Sequence, residues 1–158
     1  LVRCPDMFKG NKVITKMVQN VDIAPTCLEI AGLTKPDYMP GYSIIQLLKG
    51  NESNWRNQIF YEYYWEYDFP MTPTTFGVRT DKYKYIRYQG IWDRNEFYDI
   101  QNDPNEIYNL IEKPEYQKGI KTHVEDLYQW LEKTDGLKIP LKKHASYRNS
   151  DFRHPNQY

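Results

Sequence analysis

The chain has 158 residues, room for one ordinary domain or for a large piece of a bigger protein. Its 21 Lys and Arg balance 21 Asp and Glu, which argues against a nucleic-acid binder working by bulk positive charge. No apolar run reaches the roughly 18 residues a membrane-crossing helix needs, and Leu1-Val2-Arg3-Cys4-Pro5 lacks the long apolar stretch of a signal peptide.

In chain order, Leu1-Val2-Arg3-Cys4 reads as a strand that begins without a lead-in. A first helix is predicted over residues 22–31. Asp22 offers an N-cap oxygen, Pro25 falls in the first turn, and Gly32 is a natural stop. Its buried face would be Ile23, Cys27, Leu28, Ile30 and Ala31. Ser43-Ile44-Ile45-Gln46 has capping-box spacing and predicts a second, short helix ending at Gly50.

The character then changes. Residues 58–65, 74–80, 82–88 and 96–100 are rich in Tyr, Phe, Ile, Val and Thr and read as strands. Thr80-Asp81-Lys82 is a tight connection, so the second and third form a hairpin. Tyr83, Tyr85 and Arg87 alternate with Lys84, Ile86 and Tyr88, as a sheet with two differently covered faces requires. Residues 66–73 form a loop stiffened by Pro70 and Pro73, of the kind that carries function. The last helix is predicted from Pro114 to Lys133, with Tyr116, Ile120, Val124, Leu127 and Leu131 on one face. Gly136 ends it and Pro140 bars resumption. Residues 141–158 are polar, a tail or a strap over a larger partner. The expected fold is α+β: a small antiparallel sheet of about four strands with the long C-terminal helix packed across it.

Candidate chemistry is sparse. Cys4 and Cys27 sit in apolar contexts and read as small buried hydrophobes, a disulfide between them remaining open. No CxxC or HExxH occurs, which argues against a structural zinc site. The run from Asp99 to Glu106 has the look of a calcium loop, but Pro104 and Leu110 stand where an EF-hand needs Gly and Glu. A strand exit and turn is the better reading, with Asn109 capping locally. His123 reads as a surface or packing residue, and His144 and His154 as solvent-exposed.

The densest stretch is Glu62-Tyr63-Tyr64-Trp65-Glu66-Tyr67-Asp68. Alternation puts Glu62, Tyr64 and Glu66 on one side of a strand and Tyr63, Trp65 and Tyr67 on the other. Rings beside carboxylates suit sugar binding, since a ring covers an apolar sugar face while a carboxylate accepts from hydroxyls. Aromatics that simply pack on the last helix are the plainer alternative, favoured on composition. A glycosidase-like carboxylate pair is a further option.

Five motifs in order carry a resemblance. They are Val18-Gln19-Asn20-Val21-Asp22-Ile23-Ala24-Pro25-Thr26, Met39-Pro40-Gly41-Tyr42-Ser43 with Leu47-Leu48-Lys49-Gly50, Val78-Arg79-Thr80-Asp81-Lys82-Tyr83-Lys84-Tyr85-Ile86, and Phe97-Tyr98-Asp99-Ile100 with Asn102-Asp103-Pro104-Asn105-Glu106 and Asn109-Leu110. The opening Leu1-Val2-Arg3-Cys4-Pro5 is the fifth. Together they resemble the C-terminal part of a type I sulfatase of the alkaline phosphatase superfamily. Tyr61-Glu62-Tyr63-Tyr64-Trp65 and Thr72-Pro73-Thr74-Thr75-Phe76-Gly77 are similar to bacterial enzymes for N-acetylglucosamine-6-sulfate or other glycosaminoglycan sulfates.

The resemblance implies a division of labour. The family's nucleophile is a Cys or Ser in C/S-x-P-S/A-R, converted to formylglycine. Cys4, followed by Pro5-Asp6-Met7, does not match it. Formylglycine and the calcium ligands are therefore expected upstream of Leu1, with no cofactor, catalytic or metal residue in this chain. Residues 1–50 would close the larger domain, 51–140 would form the C-terminal subdomain, and 141–158 the tail. Expected partners are the N-terminal sulfatase domain and a sulfated saccharide, with neither nucleic acid nor membrane, and with self-association of the piece alone. The parent would be periplasmic or secreted. Glu62, Tyr64, Trp65, Thr74 and Thr75 are the expected substrate contacts. A carbohydrate-binding or interaction module without catalysis, or part of a phosphoester hydrolase of the same superfamily, are the alternatives.

Overall fold

The computed structural model describes residues 2–138, apart from 6, 9, 67, 68, 70, 91 and 92. The chain divides into two compact units, Leu1–Ile59 and Phe60–Tyr158.

The first unit is organised around a buried carboxylate. A 3-10 turn at Asn20–Asp22 leads into α1 (Ile23–Ile30), and α2 spans Ile45–Leu48. Asp22 does not cap α1 with its side chain. Its carboxylate instead receives both terminal nitrogens of Arg56, at 2.5 and 2.6 Å, and the backbone N–H groups of Gln19 and Tyr42 at 2.8 and 2.9 Å. Gly41, at φ 86°, makes this possible, because a Cβ there would stand 2.2 Å from the Val21 carbonyl oxygen.

The expected buried face of α1 is corrected. Pro25 and Thr26 are buried, whereas Ile23 (64% exposed), Cys27, Ile30 (54%) and Ala31 are exposed and Leu28 is half-buried. The Thr26 hydroxyl donates to the Asp22 carbonyl at 2.6 Å and accepts from the Ile44 N–H at 3.1 Å. Those bonds turn the polar side of the helix inward, and the apolar stripe is left facing outward. Three further readings change. Val2–Cys4 is irregular, with the Cys4 carbonyl closing turns to Met7 and Phe8 at 3.0 and 2.9 Å. Cys4 is half-buried, Cys27 is exposed, and both are free thiols. Ser43 accepts from the Ile45 N–H two residues on, at 3.3 Å, so Ile44 and not Ser43 is the N-cap of α2. Gly50, at φ 93°, follows that helix as expected.

The sheet belongs to the second unit apart from the first two residues of its opening strand. Its strands are β1 (Gln58–Tyr63), β2 (Thr75–Thr80), β3 (Tyr83–Tyr88) and β4 (Glu96–Asp99), in the order β1-β2-β3-β4. β2 and β3 pair antiparallel with Val78 opposite Tyr85, and β3 and β4 with Tyr85 opposite Phe97. The two-residue Asp81-Lys82 connection is pinned by the Thr80 hydroxyl, which accepts from the Tyr83 N–H at 3.0 Å.

A 3-10 turn at Pro114–Tyr116 leads into α3 (Gln117–Lys133). α3 lays Ile120, Leu127 and Leu131 on Phe76, Val78, Tyr85 and Phe97, and this cluster is the core. Full burial of each such side chain stabilises by about 1.5–3 kcal/mol. His123 is a packing residue, edge-on to Tyr83 and Phe97 at 5.9 and 5.4 Å. Phe60 stacks on Trp130 at 4.7 Å. After β4, side chains serve backbone: Asn109 accepts from the Phe97 and Ile111 N–H groups at 3.1 and 3.0 Å, and Asp103 from the Tyr108 N–H at 2.8 Å. This is the strand exit and turn expected there. The arrangement is α+β, a four-stranded antiparallel sheet with one helix across it.

Candidate functional site

Strand period decides what the five expected contact residues do. Phe60, Glu62 and Tyr64 point to the face that α3 covers, and Tyr61 and Tyr63 to the opposite face. The Tyr64 hydroxyl donates toward the Glu62 carboxylate and lies 2.8 Å from the Gly136 carbonyl, just past the end of α3. Its ring meets Phe76 edge-on at 5.7 Å. Burial, together with the Glu62 carboxylate, pushes the Tyr64 phenol up to about 12, so it stays a donor at neutral pH. Thr134 adds a long contact to Glu62 at 3.5 Å. Glu62 and Tyr64 thus tie β1 to the end of the helix.

Trp65 and Thr74 form a staple where β1 leaves and β2 enters. The Trp65 N–H donates to the Thr74 hydroxyl at 2.8 Å, and Thr74 is buried while the Trp65 side chain is 49% exposed. The Thr74 carbonyl also accepts from the Gln89 N–H at 2.9 Å, which joins the start of β2 to the end of β3. Thr75 lies on the other face. Its hydroxyl donates to the Pro73 carbonyl at 3.0 Å.

There the sheet carries an open groove of about 460 Å³, lined by Tyr61, Tyr63, Phe69, Thr72, Thr75 and Tyr88. Only Thr75 of the five expected contacts reaches it. The sequence held the signal for the others: Tyr61 and Tyr63 have the opposite parity to Glu62 and Tyr64, and Tyr88 opposes Thr75 in register. Tyr67, Asp68 and Pro70 lie outside the described residues.

Carboxylates edge the same face. Burial first, then the neighbouring Glu96, raises the Tyr88 phenol, with Asp93 adding to it. Burial and Glu96 likewise push the Tyr98 phenol up to about 12. Lys84 pairs with Glu106 farther along β3.

Residues 1–133 match the family described as N-sulphoglucosamine sulphohydrolase, C-terminal. The chain belongs to this family. The sulfatase resemblance of its motifs is therefore correct. It is 32% identical over 140 residues to an N-acetylglucosamine-6-O-sulfatase of Bacteroides thetaiotaomicron, covering 85% of this chain and 24% of that protein. It is 33% identical over 108 residues to mouse arylsulfatase K, covering 65% of this chain and 20% of that protein. A solved structure of a protein in complex with its substrate, D-glucosamine-2-N,6-O-disulfate, overlays with a TM-score of 0.78 at 29% identity, covering 87% of this chain and 28% of that one. The chain thus spans about a quarter of the length of these relatives.

The sulfatase relatives imply calcium and formylglycine in the parent protein. Among the described residues no three His, Cys, Asp or Glu side chains converge. Asp22 is committed to Arg56, and Asp99 to the Asn102 backbone and amide at 3.1 and 2.9 Å.

Proposed function

We propose that this chain is the C-terminal portion of a carbohydrate sulfatase, completing the cleft that holds the sulfated saccharide. The family match over residues 1–133 carries the reading. The relative named N-acetylglucosamine-6-O-sulfatase and the complex with a disulfated glucosamine support a sulfated amino sugar as substrate class. On this reading residues 1–50 close the larger domain, 51–140 form the subdomain and 141–158 the tail, and the parent is exported.

Formylglycine and calcium, expected elsewhere in the parent, would supply the nucleophile and the charge neutralisation of the sulfate oxygens. This chain's residues bind and orient. Trp65, exposed two residues beyond β1, and Thr75, at the start of β2, are the direct contacts. Glu62, Tyr64 and Thr74 hold them in place through the bonds at Gly136 and the Trp65 N–H.

The test is kinetic, on the full-length protein. It releases sulfate from 6-O-sulfated N-acetylglucosamine, and Trp65→Ala lowers kcat/KM on that saccharide while sparing a small aryl sulfate. Equal loss on both substrates would assign Trp65 to folding alone, and absence of sulfate release would favour a non-catalytic carbohydrate-binding module.

A further inference from the structure

The groove on the face opposite α3 has a chemistry that sulfate recognition does not explain. Its lining combines four rings (Tyr61, Tyr63, Phe69 and Tyr88) with the hydroxyls of Thr72 and Thr75. None of these residues is an Asp, Glu, His, Lys or Arg. The charges that act on the Tyr88 phenol are carboxylates, Glu96 and Asp93. Among the described residues, the cations on this face of β2 and β3 are at the far end of the strands: Arg79 lies at the hairpin end of β2, opposite Lys84, and Lys84 pairs with Glu106.

A sulfate or uronate entering this groove would meet acidic neighbours and, among the described residues, no counter-charge in its lining. That juxtaposition repels anions. An uncharged pyranose ring meets the opposite conditions. Its C–H face lies on a tyrosine ring, its hydroxyls reach phenol and threonine oxygens, and about 460 Å³ accommodates a ligand of that size. Tyr61 is 57% exposed and so offers its ring to the groove without belonging to the core.

We propose that this groove is a subsite for an uncharged sugar ring of the same saccharide chain, a unit that carries no sulfate. The proposal rests on the sulfated-saccharide reading above and adds what the protein recognises beyond the sulfated unit. It makes the domain a reader of saccharide length and of sulfation pattern, since a charged neighbour is turned away.

Two measurements on the full-length protein test it. The first compares 6-O-sulfated N-acetylglucosamine with a disaccharide that extends it by one unsulfated N-acetylglucosamine. Tyr61→Ala is expected to raise KM on the disaccharide about tenfold, roughly 1.4 kcal/mol, with the monosaccharide unchanged. An added sulfate on the extending unit is expected to abolish the advantage of length in the unsubstituted protein. The second titrates the protein calorimetrically with N,N′-diacetylchitobiose, an uncharged disaccharide, whose binding Tyr61→Ala abolishes.

Equal kinetic loss on both substrates with a lowered melting temperature would overturn the proposal and mark this face as a packing surface for the rest of the protein. No chitobiose binding, or a preference for the doubly sulfated disaccharide, would overturn it as well. Chitobiose binding lost in Tyr61→Ala, in a protein that releases no sulfate, would sustain the subsite while sinking the sulfatase reading.

Discussion

Asp22 shows how much a single side chain organises in this chain. Burial works to raise its pKa, but the Arg56 guanidinium and the N–H groups of Gln19 and Tyr42 outweigh it and hold the carboxyl below its ordinary 3.8. A folded-state value below the unfolded one gives stability that is present above about pH 4 and is lost as pH falls through the depressed value. Asp22→Asn should therefore cost about 3 kcal/mol at neutral pH, near the low end for a broken buried pair because the Tyr42 and Trp55 rings, each 4.9 Å from Arg56, still face the cation. Thermal unfolding of the full-length protein between pH 7 and 3 is the check. The unsubstituted protein should converge on the variant as the pH drops, and parallel curves would sink the assignment. Tyr64 gives the opposite sign. Its phenol, raised to about 12, favours the fold below the unfolded value near 10 and loses that contribution as pH rises through 12. Tyr64→Phe removes the bonds to Gly136 and Glu62, at an expected cost of about 1–2 kcal/mol. A melting temperature in that variant equal to that of the unsubstituted protein between pH 7 and 10 would show the hydroxyl to be idle.

At the scale of elements, the sheet and α3 depend on one seam. Leu127 is fully buried against Phe76, Val78, Tyr85 and Phe97, so Leu127→Ala should destabilise by about 2–5 kcal/mol, read from a denaturant midpoint. This seam was legible in the sequence because both periods point the same way. Residues 120, 124, 127 and 131 fall on one helical face, and residues 83, 85 and 87 on one strand face. The face of α1 was not legible, for a physical reason. Hydrophobic period locates an apolar stripe but not what covers it, and here a distant Arg56 and the Thr26–Ile44 bond turn the other side inward. The groove shows the same limit in miniature. Parity separated Tyr61 and Tyr63 from Glu62 and Tyr64, but only tertiary structure assembled Phe69, Thr72 and Tyr88 beside them. Motif likeness carried the family because it records fixed local jobs, such as the close approach of Gly41 to Val21 and the turn bonds of Asp99, Asp103 and Asn109.

For the whole molecule, the decisive feature is an apolar surface without cover in its own unit. Ile23, Ile30, Val18 and Leu33 of the first unit are all more than half exposed, which is an unusual concentration around one short helix. On the proposed reading, the larger domain of the full-length protein covers this stripe. The 158-residue chain produced alone has to bury it against another copy or leave it in water. Burying one such side chain gains about 1.5–3 kcal/mol, so a few of them exceed what keeps a small protein monomeric at high concentration. Sedimentation equilibrium over a wide concentration range should show self-association, and Ile23→Lys with Ile30→Lys should shift the species toward monomer without changing the circular dichroism of the sheet and α3. A strictly monomeric 158-residue chain would count against the missing cover. The same preparation, supplied with calcium and free of full-length enzyme, should release no sulfate from aryl or sugar sulfates. Among its described residues no metal-ligand cluster converges, and Cys4 lacks the nucleophile motif. Measurable turnover would place nucleophile or metal chemistry inside this chain and overturn its assignment to binding and orientation.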